Sequence, residues 1–363
     1  MRTVESSDGV HAVVDGKTCI LFCSNDYLGL STHPKVKAAA IEAANAAGSG
    51  SGAAPLISGN TSWHKNLKEG IAAFKGTEDA LLFGSGYLTN IGIIPALAQE
   101  GDVILSDGLN HASIIDGCRL SKAEVMIYDH CAVASLAAHF KNAAGFNRRW
   151  IITEGVFSMD GDIAPMHEIA ALADKYGATV ILDEAHSTGT LGEAGRGTLE
   201  HFGLPSGNVI QMGTLGKALG SYGAFVAASG DTIRWLINSA RSFMFSTALP
   251  PSVCAAASAS LRVIKDEPER LVYLRENVDR LRHSLLGAGF KVLGGGTPIM
   301  PAIIGKADEA VRLSSALLDA GFYAPAIRPP TVPDGMSRIR FTVSALHTED
   351  DIKGLVDAIK RLA

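Results

Sequence analysis

Short apolar runs, each about the length of one buried strand, constrain the fold of this chain more than any other feature of its sequence. They recur through the middle of the chain, separated by segments with helical periodicity such as Met166–Tyr176. Most are nearly continuous in hydrophobic residues rather than alternating, as expected of strands with both faces buried. This pattern predicts an α/β fold with a mostly parallel seven-stranded sheet covered by helices. The runs are Ala80–Phe83, Val103–Ser106, Val125–Tyr128, Trp150–Thr153, Thr179–Leu182, Val209–Met212 and Ala224–Ala227.

The pattern changes after two consecutive prolines, Pro250 and Pro251. Helices and short strands then alternate to the end of the chain, which is typical of a small α+β domain. The predicted elements there are the helices Ser252–Lys265, Pro268–Ala288, Ala307–Ala320 and Thr348–Leu362 and the strands Pro301–Ile304 and Ile339–Val343. We therefore predict an N-terminal segment over 1–32, a large domain over 33–260 and a small C-terminal domain over 261–363.

Charge and hydropathy argue against several classes of partner. The chain has 32 basic and 37 acidic residues, a net charge of −5, and no run of either sign, so we expect neither a nucleic-acid nor a membrane-surface partner. The apolar stretches are interrupted well before the length of a membrane span, and the first residues lack the apolar core of a signal peptide. The five cysteines lack zinc spacing, so we expect core thiols in a reducing cytoplasm and no metal site.

Asp183 is the first candidate for chemistry, because it follows the apolar run Thr179–Leu182 directly. Open α/β sheets place ligand sites at the carboxyl ends of their strands. His186 comes three residues later and precedes a loop of small residues. An aspartate at a strand end could equally cap a helix or bind a metal, so its interpretation depends on a second segment.

Lys217 lies in that second segment, Gln211–Gly220, between glycines and directly after another buried strand. Its small apolar neighbours would solvate a cation poorly, and a desolvated lysine is a better nucleophile toward carbonyl groups. A phosphate-loop lysine is the alternative, but the Walker pattern requires Ser or Thr after the lysine, where Ala218 stands. A pyridoxal-5'-phosphate (PLP) enzyme needs a lysine for the Schiff base and a carboxylate, here Asp183, that keeps the pyridinium nitrogen protonated.

The segment Phe83–Asn90 could hold the phosphate of such a cofactor. A short strand runs there into a Gly-Ser-Gly turn and a helix start, and backbone N–H groups in this arrangement bind anions. Taken alone, the segment is more typical of a structural turn. Thr214 could add a hydroxyl to the same phosphate.

His111 follows the strand Val103–Ser106. Near a cofactor ring it would stack or act in acid–base chemistry, although a lone histidine is usually structural.

With these segments in place, the chain resembles the α-oxoamine synthase family of fold-type-I PLP enzymes over nearly its whole length. The resemblance implies decarboxylative condensation of an amino acid with an acyl thioester, carried on CoA or acyl carrier protein. It also implies a homodimer with shared active sites. The matching motifs are Ser24–Gly29, Glu154–Asp162, Asp183–His186, Thr214–Lys217 and Phe245–Pro251.

The resemblance further implies cofactor roles. Lys217 holds PLP as a Schiff base, Asp183 pairs with the pyridinium, and His186 hydrogen-bonds the ring phenolate. The remaining cofactor residues are Gly86 and Tyr87 for the phosphate, assisted by Thr214; His111 on the ring face; Ser158 beside the cofactor; and Ser246 or Thr247 from a second subunit.

On the substrate side, the resemblance assigns Arg340 to the amino-acid carboxylate, for which a planar guanidinium is suited. Asn25 is expected near the substrate; an Asx turn before Tyr27 is its alternative. Arg328 lies in Ala326–Pro333 and would bind the far end of the acyl group or support the carboxylate site.

Residues Ala326–Pro333 are most similar to the branch of the family that joins L-alanine to a pimeloyl thioester. Branches that use glycine with acetyl-CoA, or serine with a long acyl-CoA, share the cofactor residues and remain alternatives, as does a non-catalytic PLP-binding protein. Family members usually begin with a longer helical arm, whereas Gly9–Gly16 lies almost at the start here. The resemblance therefore defines the acyl side of the pocket less closely than the PLP side.

Overall fold

A computed structural model of the chain describes residues 2–362. The strands are β1 (Val4–Ser7), β2 (His11–Val14), β3 (Lys17–Leu21), β4 (Asp79–Phe83), β5 (Val103–Asp107), β6 (Glu124–Tyr128), β7 (Arg149–Glu154), β8 (Thr179–Asp183), β9 (Val209–Thr214), β10 (Ala224–Ala228), β11 (Lys291–Val292), β12 (Ile299–Gly305), β13 (Phe322–Tyr323), β14 (Ala326–Ile327) and β15 (Ser337–Thr342). The α-helices are α1 (Pro34–Ala47), α2 (Ser62–Lys75), α3 (Gly86–Leu97), α4 (Ala112–Leu120), α5 (Val133–Asn142), α6 (Met166–Tyr176), α7 (Thr198–His201), α8 (Gly230–Ser239), α9 (Arg241–Met244), α10 (Pro251–Asp266), α11 (Glu269–Gly287), α12 (Ala307–Asp319) and α13 (Glu349–Leu362). A π-helical turn spans Pro55–Gly59. None of the helices formed by residues 2–362 is long and apolar enough to cross a bilayer.

The chain divides into two compact units that do not follow one another along the sequence. The central unit comprises Pro34–Phe157 and Ala164–Asp266, and the terminal unit comprises Met1–His33, Ser158–Ile163 and Glu267–Ala363. The sequence-based division instead treated 1–32 separately and ended the large domain at residue 260. The N-terminal residues group with the C-terminal ones because β3 pairs with β13. The central unit extends to residue 266 because α10 continues to Asp266 and packs against α1.

The central unit contains a seven-stranded sheet in the order β4-β10-β9-β8-β7-β5-β6. Its strands are parallel from β9 to β6, and β10 runs antiparallel to both β9 and β4. The predicted α/β fold with a mostly parallel seven-stranded sheet is therefore confirmed, and each predicted run is a strand. Successive side chains point to opposite faces: Ile181 lies in one core cluster, whereas Val180 and Leu182 lie in another. Because both faces of the inner strands β5, β7 and β8 are buried, these strands are mainly hydrophobic rather than alternating, whereas the edge strand β6 is largely exposed.

The terminal unit has two four-stranded sheets, ordered β1-β2-β3-β13 and β11-β12-β15-β14. The predicted strands and helices of the C-terminal region are present as β12, β15 and α11–α13. The hairpin of β1 and β2 and the two-residue strands β11, β13 and β14 were not predicted. The turn from β2 to β3 contains Asp15 and Gly16, both with positive φ (48° and 76°). An Asp-Gly pair of this kind is a strong hairpin signal that the sequence analysis did not use.

Candidate active site

A cavity of about 200 Å³ lies in the central unit, where β7, β8 and β9 end and α3 begins. Ligand sites of open α/β sheets lie at this edge. The structure brings seven of the sequence-predicted residues together there, with four residues to which no role had been assigned. The lining residues are Gly86, Tyr87, His111, Ser113, Glu154, Asp183, Ala185, His186, Met212, Thr214 and Lys217.

Lys217 is half-buried in the connection between β9 and β10. Two hydrogen bonds within this loop stabilise it. The Gly220 N–H donates to the Lys217 carbonyl and the Ser221 N–H donates to the Leu215 carbonyl, both at 2.8 Å. Lys217 Nζ lies 2.7 Å from His186 Nε2. Two charged donors cannot share a hydrogen bond, so either the amine or the imidazole is neutral in this contact. A lysine that shares its proton in this way is suited to nucleophilic chemistry.

Asp183 ends β8 and is 5% exposed. Its Oδ2 accepts a hydrogen bond from Asn90 Nδ2 at 2.8 Å, and its Oδ1 accepts one from the Ala185 N–H at 2.9 Å. Asn90 Nδ2 also donates to Ser113 Oγ at 3.0 Å. The carboxylate is therefore held in one orientation. Asn90 had no predicted role, although a polar side chain in an otherwise apolar helix could have indicated one.

His111 is the N-cap residue of α4, and its Nδ1 accepts a hydrogen bond from the Ser113 N–H at 3.2 Å. The Ser113 hydroxyl lies 2.8 Å from the same nitrogen. Partial burial lowers the pKa of His111, although the residue keeps an exposed face. With Nδ1 as an acceptor, the hydrogen-bond pattern assigns the proton of the neutral ring to Nε2. A neutral ring lining the cavity suits contact with an aromatic cofactor.

Glu154 is a second carboxyl group in the cavity, and its role was missed from the sequence. It ends β7 opposite Asp183 on β8 and is 4% exposed. Burial, followed by the charge of Asp183, raises the pKa of Glu154 well above its usual value, although the His111 backbone N–H donates to its carboxyl group. The strand-end position that identified Asp183 is equally a property of Glu154, and this signal could have found it.

The first turn of α3 presents unpaired backbone N–H groups. The Ser85 hydroxyl accepts the Leu88 N–H at 3.2 Å as N-cap, whereas the N–H groups of Gly86 and Tyr87 have no partner among residues 2–362. Unpaired amides at a helix N-terminus bind phosphate. A Cβ at Gly86 would lie 3.1 Å from Met212 Cε, so the glycine leaves space that a side chain would take.

These residues fit PLP. The cavity offers an amine for the aldehyde, an oriented carboxylate for the ring nitrogen and unpaired amides for the phosphate. Thr214 lines the same cavity, but its hydroxyl already donates to the Gly223 carbonyl at 3.1 Å.

Ser246 and Thr247 line a different cavity of the central unit, of about 120 Å³, together with His64 and Lys68. Among the described residues they are therefore not part of the Lys217 cavity of their own chain. Their predicted contribution to a second subunit stays a prediction.

The other predicted residues belong to the terminal unit. Arg340, on β15, is 8% exposed, and its Nε donates to the Ser158 carbonyl at 2.5 Å. Its guanidinium also donates to the hydroxyl of Tyr27. The Tyr27 hydroxyl in turn donates a hydrogen bond to Asn25 Oδ1 at 3.1 Å. The Asn25 side chain therefore accepts a hydrogen bond from a hydroxyl group and not from the backbone N–H of an Asx turn. Burial raises the pKa of Tyr27 to about 12. Arg328 follows β14 and is exposed.

Comparison with known proteins identifies the family of the chain. Residues 17–359 match the family model of class I and II aminotransferases. The chain is 50% identical over 366 residues to the 8-amino-7-oxononanoate synthase of Geobacter sulfurreducens, covering 100% of this chain and 93% of the relative. It is similar to a solved structure of a serine palmitoyltransferase variant from S. paucimobilis with a bound PLP–myriocin aldimine (TM-score 0.96, 33% identity, covering 100% of this chain and 92% of the other). It is also similar to the 8-amino-7-oxononanoate synthase of Francisella tularensis (TM-score 0.82, 29% identity, covering 94% and 97%).

The match covers nearly the whole chain, and the relatives include a structure solved with PLP bound. PLP is therefore the cofactor of this protein, and the protein is an acyl-transferring enzyme. The chain belongs to the class I and II aminotransferase family and, within it, to the α-oxoamine synthases, the group that includes 8-amino-7-oxononanoate synthase.

Proposed function

We propose that the protein joins L-alanine to a pimeloyl thioester and releases CO2 and the free thiol. The product is 8-amino-7-oxononanoate, an intermediate of biotin synthesis. The observation that carries this choice of substrates is the 50% identity, over 100% of the chain, to a relative named for that product. The similarity to serine palmitoyltransferase supports the same reaction type with other substrates.

PLP bound in the cavity supplies an electron sink for a carbanion at the α-carbon of the amino acid. Lys217 binds the cofactor and then acts as the base that removes the α-proton. Its contact with His186 Nε2 at 2.7 Å gives the amine a neighbour to which it can pass a proton, so that it becomes neutral and able to accept another. Asp183 holds the proton of the cofactor ring nitrogen, and its hydrogen bonds from Asn90 and Ala185 keep it oriented.

Glu154 contributes through its raised pKa, which favours the neutral carboxyl group. A second carboxylate opposite Asp183 would compete for the single positive charge of the ring nitrogen. The raised pKa of Glu154 avoids this competition. His111 offers an uncharged ring to the cofactor face, and the amides of Gly86 and Tyr87 bind the phosphate.

Arg340 binds the carboxylate of the amino acid. Its guanidinium is held by the Ser158 carbonyl and the Tyr27 hydroxyl, and Tyr27 is in turn bonded to Asn25. A guanidinium held in this way loses little side-chain entropy when it binds a carboxylate. Arg328, which is exposed, is free to bind the far carboxylate of the pimeloyl group.

The active form is proposed to be a homodimer in which Ser246 or Thr247 of one subunit reaches the cofactor of the other. Ile57 and Phe245 are next in sequence to the cavity-lining residues Leu56 and Ser246; their apolar side chains are 81% and 69% exposed, and a subunit interface would bury them. The reaction is placed in the cytoplasm, where thiols stay reduced. Burial raises the pKa of Cys118 to about 11 and of Cys254 to about 12, as expected of core thiols.

Thiol release from acyl-CoA tests the proposed substrates. L-Alanine, glycine and L-serine are each paired with pimeloyl-, acetyl- and palmitoyl-CoA, and pimeloyl-acyl carrier protein is compared with pimeloyl-CoA. Alanine with a pimeloyl thioester should react fastest. Faster reaction of glycine with acetyl-CoA, or of serine with palmitoyl-CoA, would assign the chain to another branch of the family. Absence of thiol release from every pair would identify a PLP-binding protein without turnover.

Replacement of Arg328 by alanine tests its role. Loss of one charge-assisted hydrogen bond costs about 1.5–3 kcal/mol, or roughly 10- to 150-fold in kcat/KM for pimeloyl thioester. If Arg328 binds the far carboxylate, the loss should shrink with an acyl-CoA that ends in a methyl group. An equal loss with both substrates would contradict this role and favour support of the amino-acid carboxylate. Arg119→Ala, whose side chain is 76% exposed, is the control.

A further inference from the structure

Lys75 and Glu184 form an ion pair in which both side chains are 0% exposed. Lys75 is the last residue of α2, directly before the C-cap Gly76. Glu184 follows Asp183 directly. Neither residue lines the cavity that contains Lys217. A fully buried ion pair therefore lies next to a cofactor-site residue in the chain, but outside the site.

The pair is held by hydrogen bonds to two further segments. Lys75 Nζ donates to Glu184 Oε2 and to the Arg196 carbonyl, and lies 3.4 Å from Thr188 Oγ1. Glu184 Oε1 accepts the Thr198 N–H at 2.7 Å. The charges are thus fully hydrogen-bonded, and they join the end of α2 to the turn after β8 and to the loop over residues 188–198.

The fit of this loop around Glu184 is close. Gly197 has a φ of +117°, and a Cβ there would lie 2.4 Å from Glu184 Oε2. Only glycine accommodates both the backbone conformation and the approach. The loop is therefore shaped around the charged pair.

Stability alone does not account for such a pair. Removing two ions from water is unfavourable, and well-packed apolar residues in place of a buried pair are often at least as stable. What the pair adds is a fixed position for the turn. The Glu184 carbonyl accepts the N–H groups of Ser187 and Thr188 at 3.2 and 2.9 Å, and the Glu184 N–H donates to the Met212 carbonyl at 2.7 Å. The backbone of Glu184 is thereby tied to β9 and to its own turn while its side chain is tied to α2.

We propose that the Lys75–Glu184 pair is a positioning device for the cofactor site, which fixes the turn that carries Asp183 and His186. Asp183 precedes Glu184, and the Ala185 N–H that orients its carboxylate follows Glu184. A displacement of Glu184 would therefore change both the carboxylate at the ring nitrogen and the imidazole beside Lys217. The proposal rests on the proposed roles of Asp183 and His186 toward PLP; Lys75 and Glu184 are positioning residues that do not touch the cofactor.

The test uses the holoenzyme of three variants: Lys75→Met, Glu184→Gln and the double variant. Lys75→Met leaves an unpaired buried carboxylate. Glu184→Gln leaves an unpaired buried lysine. The double variant contains no buried charge, but methionine cannot donate to the Arg196 carbonyl. Lys65→Met is the control, since Lys65 lies on the same helix in an exposed pair with Glu69, with side chains 70% and 65% exposed.

Three quantities are measured without substrate: the affinity for PLP, the pH midpoint of the visible absorption of the bound cofactor, and the midpoint of thermal unfolding. Lys75→Met and Glu184→Gln should bind PLP at least tenfold more weakly and shift the pH midpoint. In the double variant the unfolding midpoint should recover toward wild type, whereas the shift of the pH midpoint should persist. Lys65→Met should change none of the three.

A purely structural pair gives a different result. If the variants unfold at lower temperature but retain wild-type PLP affinity and pH midpoint, or if the double variant restores all three quantities, the proposal is wrong. If a single variant fails to fold, the double variant alone tests whether the pair positions the cofactor site. Asp183→Asn is titrated in the same way, to separate the role of Asp183 from that of the ion pair that positions it. An unchanged pH midpoint in Asp183→Asn would refute the proposed role of Asp183 itself. Because no substrate is present, the outcome does not depend on the choice of alanine and pimeloyl thioester.

Discussion

Replacing Glu154 by glutamine should remove a pH dependence from the stability of the cofactor-free protein. Glu154 is 4% exposed and lies opposite Asp183 in the sheet. Burial, followed by the charge of Asp183, raises the pKa of Glu154 well above its usual value of 4.5. In the unfolded chain the carboxyl group is solvated and titrates normally. The two states therefore hold different numbers of protons at intermediate pH.

The size and sign of the effect follow from proton linkage. Below the pKa of the unfolded chain, Glu154 is protonated in both states and stability does not depend on its titration. Above it, the unfolded state ionises while the folded state keeps its proton, so the free energy of unfolding falls as the pH rises. One proton gives a slope of up to about 1.4 kcal/mol per pH unit, until the pH reaches the folded-state pKa. Glutamine has no such proton, and its amide oxygen can still accept the His111 N–H.

Urea unfolding measures how the free energy of unfolding changes with pH. The cofactor-free wild type and Glu154→Gln are unfolded at about pH 5, 6 and 7, and unfolding is followed by circular dichroism. The stability of the variant relative to wild type should increase steadily with pH. Glu69→Gln is the control, because the Glu69 side chain is 65% exposed. Its difference from wild type in the free energy of unfolding should be the same at each pH. A constant difference for Glu154→Gln as well would show that Glu154 is ionised in the folded protein, and the reasoning would be refuted.

Three further predictions concern the cofactor and the substrates. Borohydride reduction of the holoenzyme should attach PLP irreversibly to Lys217, and Lys217→Ala should bind PLP without turnover; a label on another lysine would contradict the proposed role. Dimers formed by reannealing Lys217→Ala with Thr247→Arg protein should recover part of the activity, because some of them contain one intact shared site. Lack of recovery in mixed dimers would argue for sites built within one chain. Tyr27→Phe removes the hydroxyl that accepts from Arg340. It should raise KM for alanine by roughly tenfold or more, as expected for one charge-assisted hydrogen bond, and leave the spectrum of bound PLP unchanged; an altered spectrum with an unchanged KM would refute it.

The central sheet could be predicted from the sequence because burial on both faces leaves a distinct local signal. Ile181 and Leu182 face different core clusters, so the middle of their strand has no polar residue. Lys217 and Asp183 could be paired for a related reason: Asp183 is the last residue of β8 and Lys217 follows β9 closely, and parallel strands end at one edge.

Asn90 and Glu154 were missed because their roles depend on neighbours that are distant in the sequence. Asn90 lies on α3 and bonds to Asp183 on β8. Glu154 faces Asp183 only because β7 and β8 are adjacent, and the order of strands in a sheet is not readable from local periodicity. The two-residue strands of the terminal unit were missed because two residues are too short to show a period.

The pairing of β3 with β13 determines when the terminal unit can form during synthesis. Ile20 lies opposite Phe322 in this parallel pair, so the β3 edge of the N-terminal strands has no partner until residues 322 and 323 have been synthesised. Contacts this distant in sequence are slow to form, because the chain must close a long loop before they contribute. The strands of the central sheet, in contrast, all lie between residues 79 and 228. The central sheet is therefore expected to assemble before the parallel pair of β3 and β13 forms.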